Sequence, residues 1–167
     1  MALSFIYPDR ELDVQIIRLL TVLKHNSVNR RNNPILSIDK ISAFDFLLQH
    51  PYILFKIIMD TGKKSLFTVN EIELNSISSE FPNTNNLYSF LETKEILVIM
   101  IAKKFVDVSL ISNIVYYIIT DAGLKFLEEI NTEYTDRLDA VSQALSILNS
   151  TSYKNLLTLI KPYANGK

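Results

Sequence analysis

Two six-residue runs of mostly β-branched and aliphatic side chains constrain this chain more than any other feature. They are Ile96-Leu97-Val98-Ile99-Met100-Ile101 and Ile114-Val115-Tyr116-Tyr117-Ile118-Ile119, with a polar, mixed segment from Lys103 to Asn113 between them. Runs of this length and composition read as strands. Ahead of the first, Leu87, Phe90 and Leu91 share a helical face within a helix over about 87–95. Behind the second, Thr120 caps a helix with Leu124, Leu127 and Ile130 on one side. Helix, strand, hairpin, strand, helix is the second half of a winged helix-turn-helix domain, with residues 103–113 as the wing.

The rest of the sequence reads as helix. Only three glycines occur, Gly62, Gly123 and Gly166, which leaves little turn chemistry for an all-β fold. Leu12, Ile16, Leu19, Leu20 and Leu23 recur at helical spacing over 11–25, and an Asn-rich loop follows around Arg30-Arg31. Ser37 is placed to cap a helix over 38–49, and Pro51 to start a third that stops near Gly62. Phe67 to Leu74 fits a strand or a helix. Leu138, Val141, Leu145 and Leu148 mark a tail helix from about Thr132, and Leu156, Leu157 and Ile160 a last one over 153–161, ending before Pro162. The expected fold is mainly α with a small β-hairpin: a helical layer (1–64), a winged-helix subdomain (65–131) and a helical tail (132–167).

Composition excludes several classes of function. The chain has 167 residues, of which 48% are hydrophobic, so it can bury a real core and is not disordered. Its net charge is −1, unlike a polybasic nucleic-acid binder. Residues 1–64 carry 9 basic and 6 acidic side chains, a balance of +3, and residues 65–167 carry 8 and 12, a balance of −4. There is no cysteine, hence no disulfide, thiolate metal site or cysteine nucleophile. The first ten residues lack a basic region and a long apolar stretch, so no signal peptide is expected. The longest apolar run, Ile96 to Ala102, is far below the roughly 20 residues a membrane span needs. A cytoplasmic location without membrane attachment is expected.

No catalytic constellation assembles. His25 and His50 are the only histidines, and no metal-binding His motif, Gly-x-Ser-x-Gly elbow or glycine-rich phosphate loop occurs. Glu128-Glu129 reads as a solvated helix face. His50-Pro51 reads as a structural corner, and Asp45 can pair with Lys40 or Arg18 or face solvent. No enzymatic activity, cofactor, metal or small-molecule substrate is expected.

Two segments carry a family signal. The first runs Leu36-Ser37-Ile38-Asp39-Lys40-Ile41, then Asp45-Phe46-Leu47-Leu48-Gln49-His50-Pro51. The second is Tyr117-Ile118-Ile119-Thr120-Asp121-Ala122-Gly123, followed by an amphipathic tail. Together they resemble the middle component of ABC-three component systems over roughly residues 10–161. The resemblance implies a defence complex of the Lamassu type, with an SMC-like coiled-coil ATPase, a nuclease-type effector and a small accessory subunit that bridges or restrains them.

Three basic pairs are candidate DNA-phosphate contacts: Arg30-Arg31, Lys63-Lys64 and, at the start of the wing, Lys103-Lys104. The competing reading is that they solubilise loops. The helix expected to enter a major groove has only Lys94 against Glu92 and Glu95, so sequence-specific readout is not expected, and DNA contact would be weak and non-specific. The apolar excess points instead to partner proteins. At least one of the stripes Leu138, Val141, Leu145, Leu148 and Leu156, Leu157, Ile160 is expected to dock on another chain, or else to belong to the chain's own core. The alternatives are a free-standing winged-helix DNA-binding transcription regulator and an adaptor of another complex.

Overall fold

The computed structural model describes residues 10–76, 82–88 and 90–164. The first nine residues, which bear on the absence of a leader, lie outside them. The elements run α1 (Leu12–Asn26), α2 (Ile38–Gln49), α3 (Pro51–Thr61), α4 (Glu71–Leu74), α5 (Asn85–Tyr88), α6 (Leu91–Ala102), β1 (Val106–Ile111), β2 (Ile114–Ile119), α7 (Asp121–Glu128), α8 (Glu133–Leu145) and α9 (Tyr153–Ala164). The protein is thus mainly helical with a two-stranded antiparallel sheet.

α1 and α2 form the centre. Ile16, Leu19, Leu20, Val22 and Leu23 of α1 are buried, as is every residue of α2 from Lys40 to Leu48. Helices covered on several sides must also satisfy the polar groups they bury. The Arg18 guanidinium does so by pairing with the Asp45 carboxylate, through Nε to Oδ1 and through Nη2 to Oδ2 at 3.1 Å. Gln49 Nε2 donates to the same carboxylate at 2.9 Å. Of the sequence's alternatives for Asp45, the structure selects Arg18. Ser42 on α2 donates to Thr93 on α6 at 3.0 Å.

α8 lies along α1. Ser142 Oγ donates to the Thr21 carbonyl at 2.8 Å, and Asn26 Nδ2 donates to the Ser142 carbonyl at 3.1 Å. Pro51 opens α3 as expected, and α2 and α3 meet at 104°. At that corner the buried His50 donates through Nδ1 to the Phe46 carbonyl at 2.7 Å and stacks on the Phe46 ring. α3 ends at Gly62, whose φ of 64° lies in the left-handed region that glycine enters freely. Among the described residues no single helix is long and apolar enough to cross a membrane.

The hairpin differs from its expected position. Residues 96–101 are helical, not a strand, because they complete α6. Thr93, Ile96, Leu97 and Met100 are its buried side chains, a spacing of three and four that packs as a helix. That period outweighs the β-propensity of the individual residues. β1 therefore starts at Val106 and pairs with β2 from Val106↔Ile119 to Ile111↔Ile114. The connection shrinks to Ser112-Asn113, both at positive φ (50° and 63°), as a tight two-residue hairpin turn requires. β2 also receives a third strand-like segment: Ser37 bridges Tyr116, and the Tyr117 N–H donates to the Leu36 carbonyl at 3.0 Å. At the C-terminal end, α9 continues through Pro162 to Ala164 rather than stopping at 161. So close to a helix end, the missing N–H costs one hydrogen bond.

Candidate functional site

The structure separates the three basic pairs. Lys103 and Lys104 lie at the corner between α6 and β1, not in a wing. Lys104 takes a left-handed φ of 61°, and its carbonyl accepts from Thr120 Oγ1 at 2.7 Å. The other two pairs come together. Arg30, Arg31, Lys63 and Lys64 line one open cleft of about 950 Å³, with His25, Asn149 and Ser150 among its walls.

Local structure holds both sides of this cleft. The Val28↔Pro34 bridge closes the loop that bears Arg30 and Arg31. Within it, Asn29 Oδ1 accepts from the N–H groups of Arg31 (2.9 Å) and Asn33 (3.1 Å). On the other side Lys63 Nζ donates to the Ile147 carbonyl at 2.8 Å, which fixes the turn after Gly62 against the end of α8. At the rim Asp139 accepts from Lys24 Nζ and from His25 Nε2, each at 2.7 Å. Burial alone would raise the Asp139 carboxyl, but these two hydrogen bonds and the charges behind them outweigh it and hold it below the usual carboxylate range. Nearby, Lys40 is buried, which lowers its ammonium below the usual lysine range against the opposing pull of Asp39; it donates to the Asn149 carbonyl.

The proposed partner stripes require a correction. Leu138, Val141, Leu145, Leu148, Leu156 and Ile160 are all buried in the chain's own core, and Leu157 is half-buried against it. α8 and α9 spend these faces on α1, α2 and α3. Exposed apolar surface lies elsewhere, mostly on residues the sequence assigned to strand and wing, with Leu91 from the helix before them. Leu91 (64% exposed), Val98 (57%) and Ile101 follow one side of α6. The outer half of the hairpin exposes Val108, Leu110 (70%), Ile111, Ile114 and Val115. The sequence signal was present: a helical period running through Thr93, Ile96, Leu97 and Met100 leaves Val98 on the opposite side.

The residues of the two family segments have structural tasks. Thr120 Oγ1 caps α7 by accepting from the Gly123 N–H at 3.1 Å, and Gly123 packs against the start of β1. Ser37 stands at the N-cap of α2, although its hydroxyl donates to Asp39 rather than taking a backbone N–H. Among the described residues no cluster of His, Asp and Glu could hold a metal ion.

What the fold presents is therefore a helical body with a hairpin, a cationic cleft and an apolar outer surface on α6 and the hairpin. The family model for ABC-three component (ABC-3C) system Middle Component 4 matches residues 26–158, and the chain belongs to that family. It is accordingly one component of a multi-component system. No curated protein and no solved structure matches it.

Proposed function

We propose that this chain is a non-catalytic accessory subunit that bridges an SMC-like ABC ATPase and a nuclease-type effector in a cytoplasmic, Lamassu-type anti-phage or anti-plasmid defence complex. The family match over most of the chain carries this reading. The exposed surface supports it. If the fold is a winged helix, with Leu36-Ser37 as the strand that joins β2 and α6 as the recognition helix, α6 is poorly suited to a DNA groove. It turns outward Leu91, Val98 and Ile101, with Lys94 between Glu92 and Glu95. Apolar side chains at this spacing suit a protein surface, as in helix-in-groove docking. The hairpin adds Val108, Leu110 and Val115 on one face, in register across the two strands. The regulator alternative needs the opposite character on the same helix.

The test is co-expression with the genes encoded beside it, followed by size-exclusion chromatography. The wild-type chain should co-elute with the ATPase. Val98→Asp with Leu110→Asp should stay folded by circular dichroism, since both positions are exposed, yet leave the complex. Unchanged co-elution would reject this face as the interface. A chain that elutes alone and shifts one particular DNA sequence would establish the regulator.

A further inference from the structure

In a chain of net charge −1, four cations in one cleft whose rim acid, Asp139, is taken by Lys24 and His25 require an explanation. Among the described residues no carboxylate pairs with Arg30, Arg31, Lys63 or Lys64, and neither Asp nor Glu lines the cleft they share. Uncompensated like charges repel one another and do nothing for stability, so their gathering favours an anionic ligand. The cleft's volume of about 950 Å³ is far more than one phosphate group fills.

We propose that this cleft binds the sugar-phosphate backbone of double-stranded nucleic acid without reading its sequence. Arginine forks and lysine ammoniums suit phosphate oxygens, and the flanking Asn and Ser side chains are the uncharged donors that backbone contacts use. Among the described residues no Phe, Tyr or Trp lines the cleft, and its one aromatic ring, His25, is held by Asp139 at 2.7 Å, so there is no row of rings on which successive bases of a single strand would stack. All four cations sit on loops, so no helix or strand carries them toward base edges. No strand of the hairpin borders the cleft, so an acidic peptide would find no sheet edge there to pair with. This goes beyond the bridging role, and the isolated chain tests it without any partner.

Fluorescence anisotropy with the full chain measures binding to a mixed-sequence duplex, to its single strand, and to the duplex in the presence of polyglutamate. The duplex should bind in the range of about 10–100 μM at physiological salt. If all four cations meet phosphates, affinity should fall about 150-fold between roughly 50 and 200 mM salt. Arg31→Glu with Lys64→Glu should lose about tenfold or more and flatten that salt dependence to about half. Arg30→Gln with Arg31→Gln, which adds no repulsion, should act in the same direction. Lys103→Glu with Lys154→Glu makes the same change of net charge outside the cleft and should stay within about twofold of wild type. Any of four results would overturn the proposal: no duplex binding at low salt, equal losses in the cleft and control variants, preference for the single strand or for polyglutamate, or selection of one duplex sequence.

Discussion

A Cβ added to Gly123 would stand 2.5 Å from the carbonyl oxygen of Phe105 and 2.9 Å from Ile119 Cγ1. The first turn of α7 thus rests directly on the backbone that leads into β1. The same carbonyl accepts the Thr120 N–H at 3.0 Å, so neither partner can retreat without breaking a bond. Gly123→Ala should therefore destabilise the protein by about 1–3 kcal/mol, the usual range for overpacking. Urea denaturation measures it, and a midpoint equal to wild type would show that the contact yields freely.

The Arg18–Asp45 pair is buried on both sides, with side-chain exposures of 3% and 4%. Removing Asp45 takes away the carboxylate that faces the buried Arg18 guanidinium between α1 and α2. Asp45→Ala should cost about 3–5 kcal/mol, and Arg18→Leu combined with Asp45→Leu distinctly less. A double-mutant cycle by chemical denaturation separates the two cases. A double variant as unstable as Asp45→Ala would mean that packing, not charge, dominates there.

Val141 and Leu145 are 1% and 0% exposed. Val141→Asp with Leu145→Asp places two carboxylates in the core, a cost of several kcal/mol that a marginally stable domain does not survive. The variant should lose its helical circular dichroism. A folded variant that merely dissociates from its partners would reverse the assignment of these residues to the core.

Asp139 gives the pH dependence a direction. Its folded-state carboxyl is held below its ordinary value, so on acidification the unfolded chain takes up that proton first. The stability it contributes is complete above the ordinary carboxylate value and is lost as pH falls through the lowered one. Melting temperature should accordingly fall less steeply between about pH 5 and 3 in Asp139→Asn than in wild type. Parallel curves would show that Lys24 and His25 hold Asp139 no more tightly than water does.

The helical layer was largely legible because its signals are local. Pro51, Gly62 and the spacing of Ile16, Leu19 and Leu23 mark their own elements. The stretch from 96 to 113 was misread because Ile96 to Ile101 satisfies both a strand's composition and a helix's period, and only packing against α1 and α2 decides between them. The cationic cleft was half legible. Both of its basic pairs stand out in the sequence, but nothing local shows that residues 33 positions apart face one another, and Lys103-Lys104 carries the same signal without joining them. The tail stripes were ambiguous for a related reason, since an amphipathic helix does not state whose core it completes.

The hydrogen bond from Ser142 to the Thr21 carbonyl spans 121 positions. During synthesis the apolar sides of α1 emerge from the ribosome long before the helix that covers them. Until α8 follows, Leu19, Leu20 and Leu23 lack part of their eventual shelter, and the nascent chain offers a sticky helix to whatever is near. Completion of the core around α1 thus waits for α8, and the yield of soluble protein should depend on how quickly residues 133–145 follow.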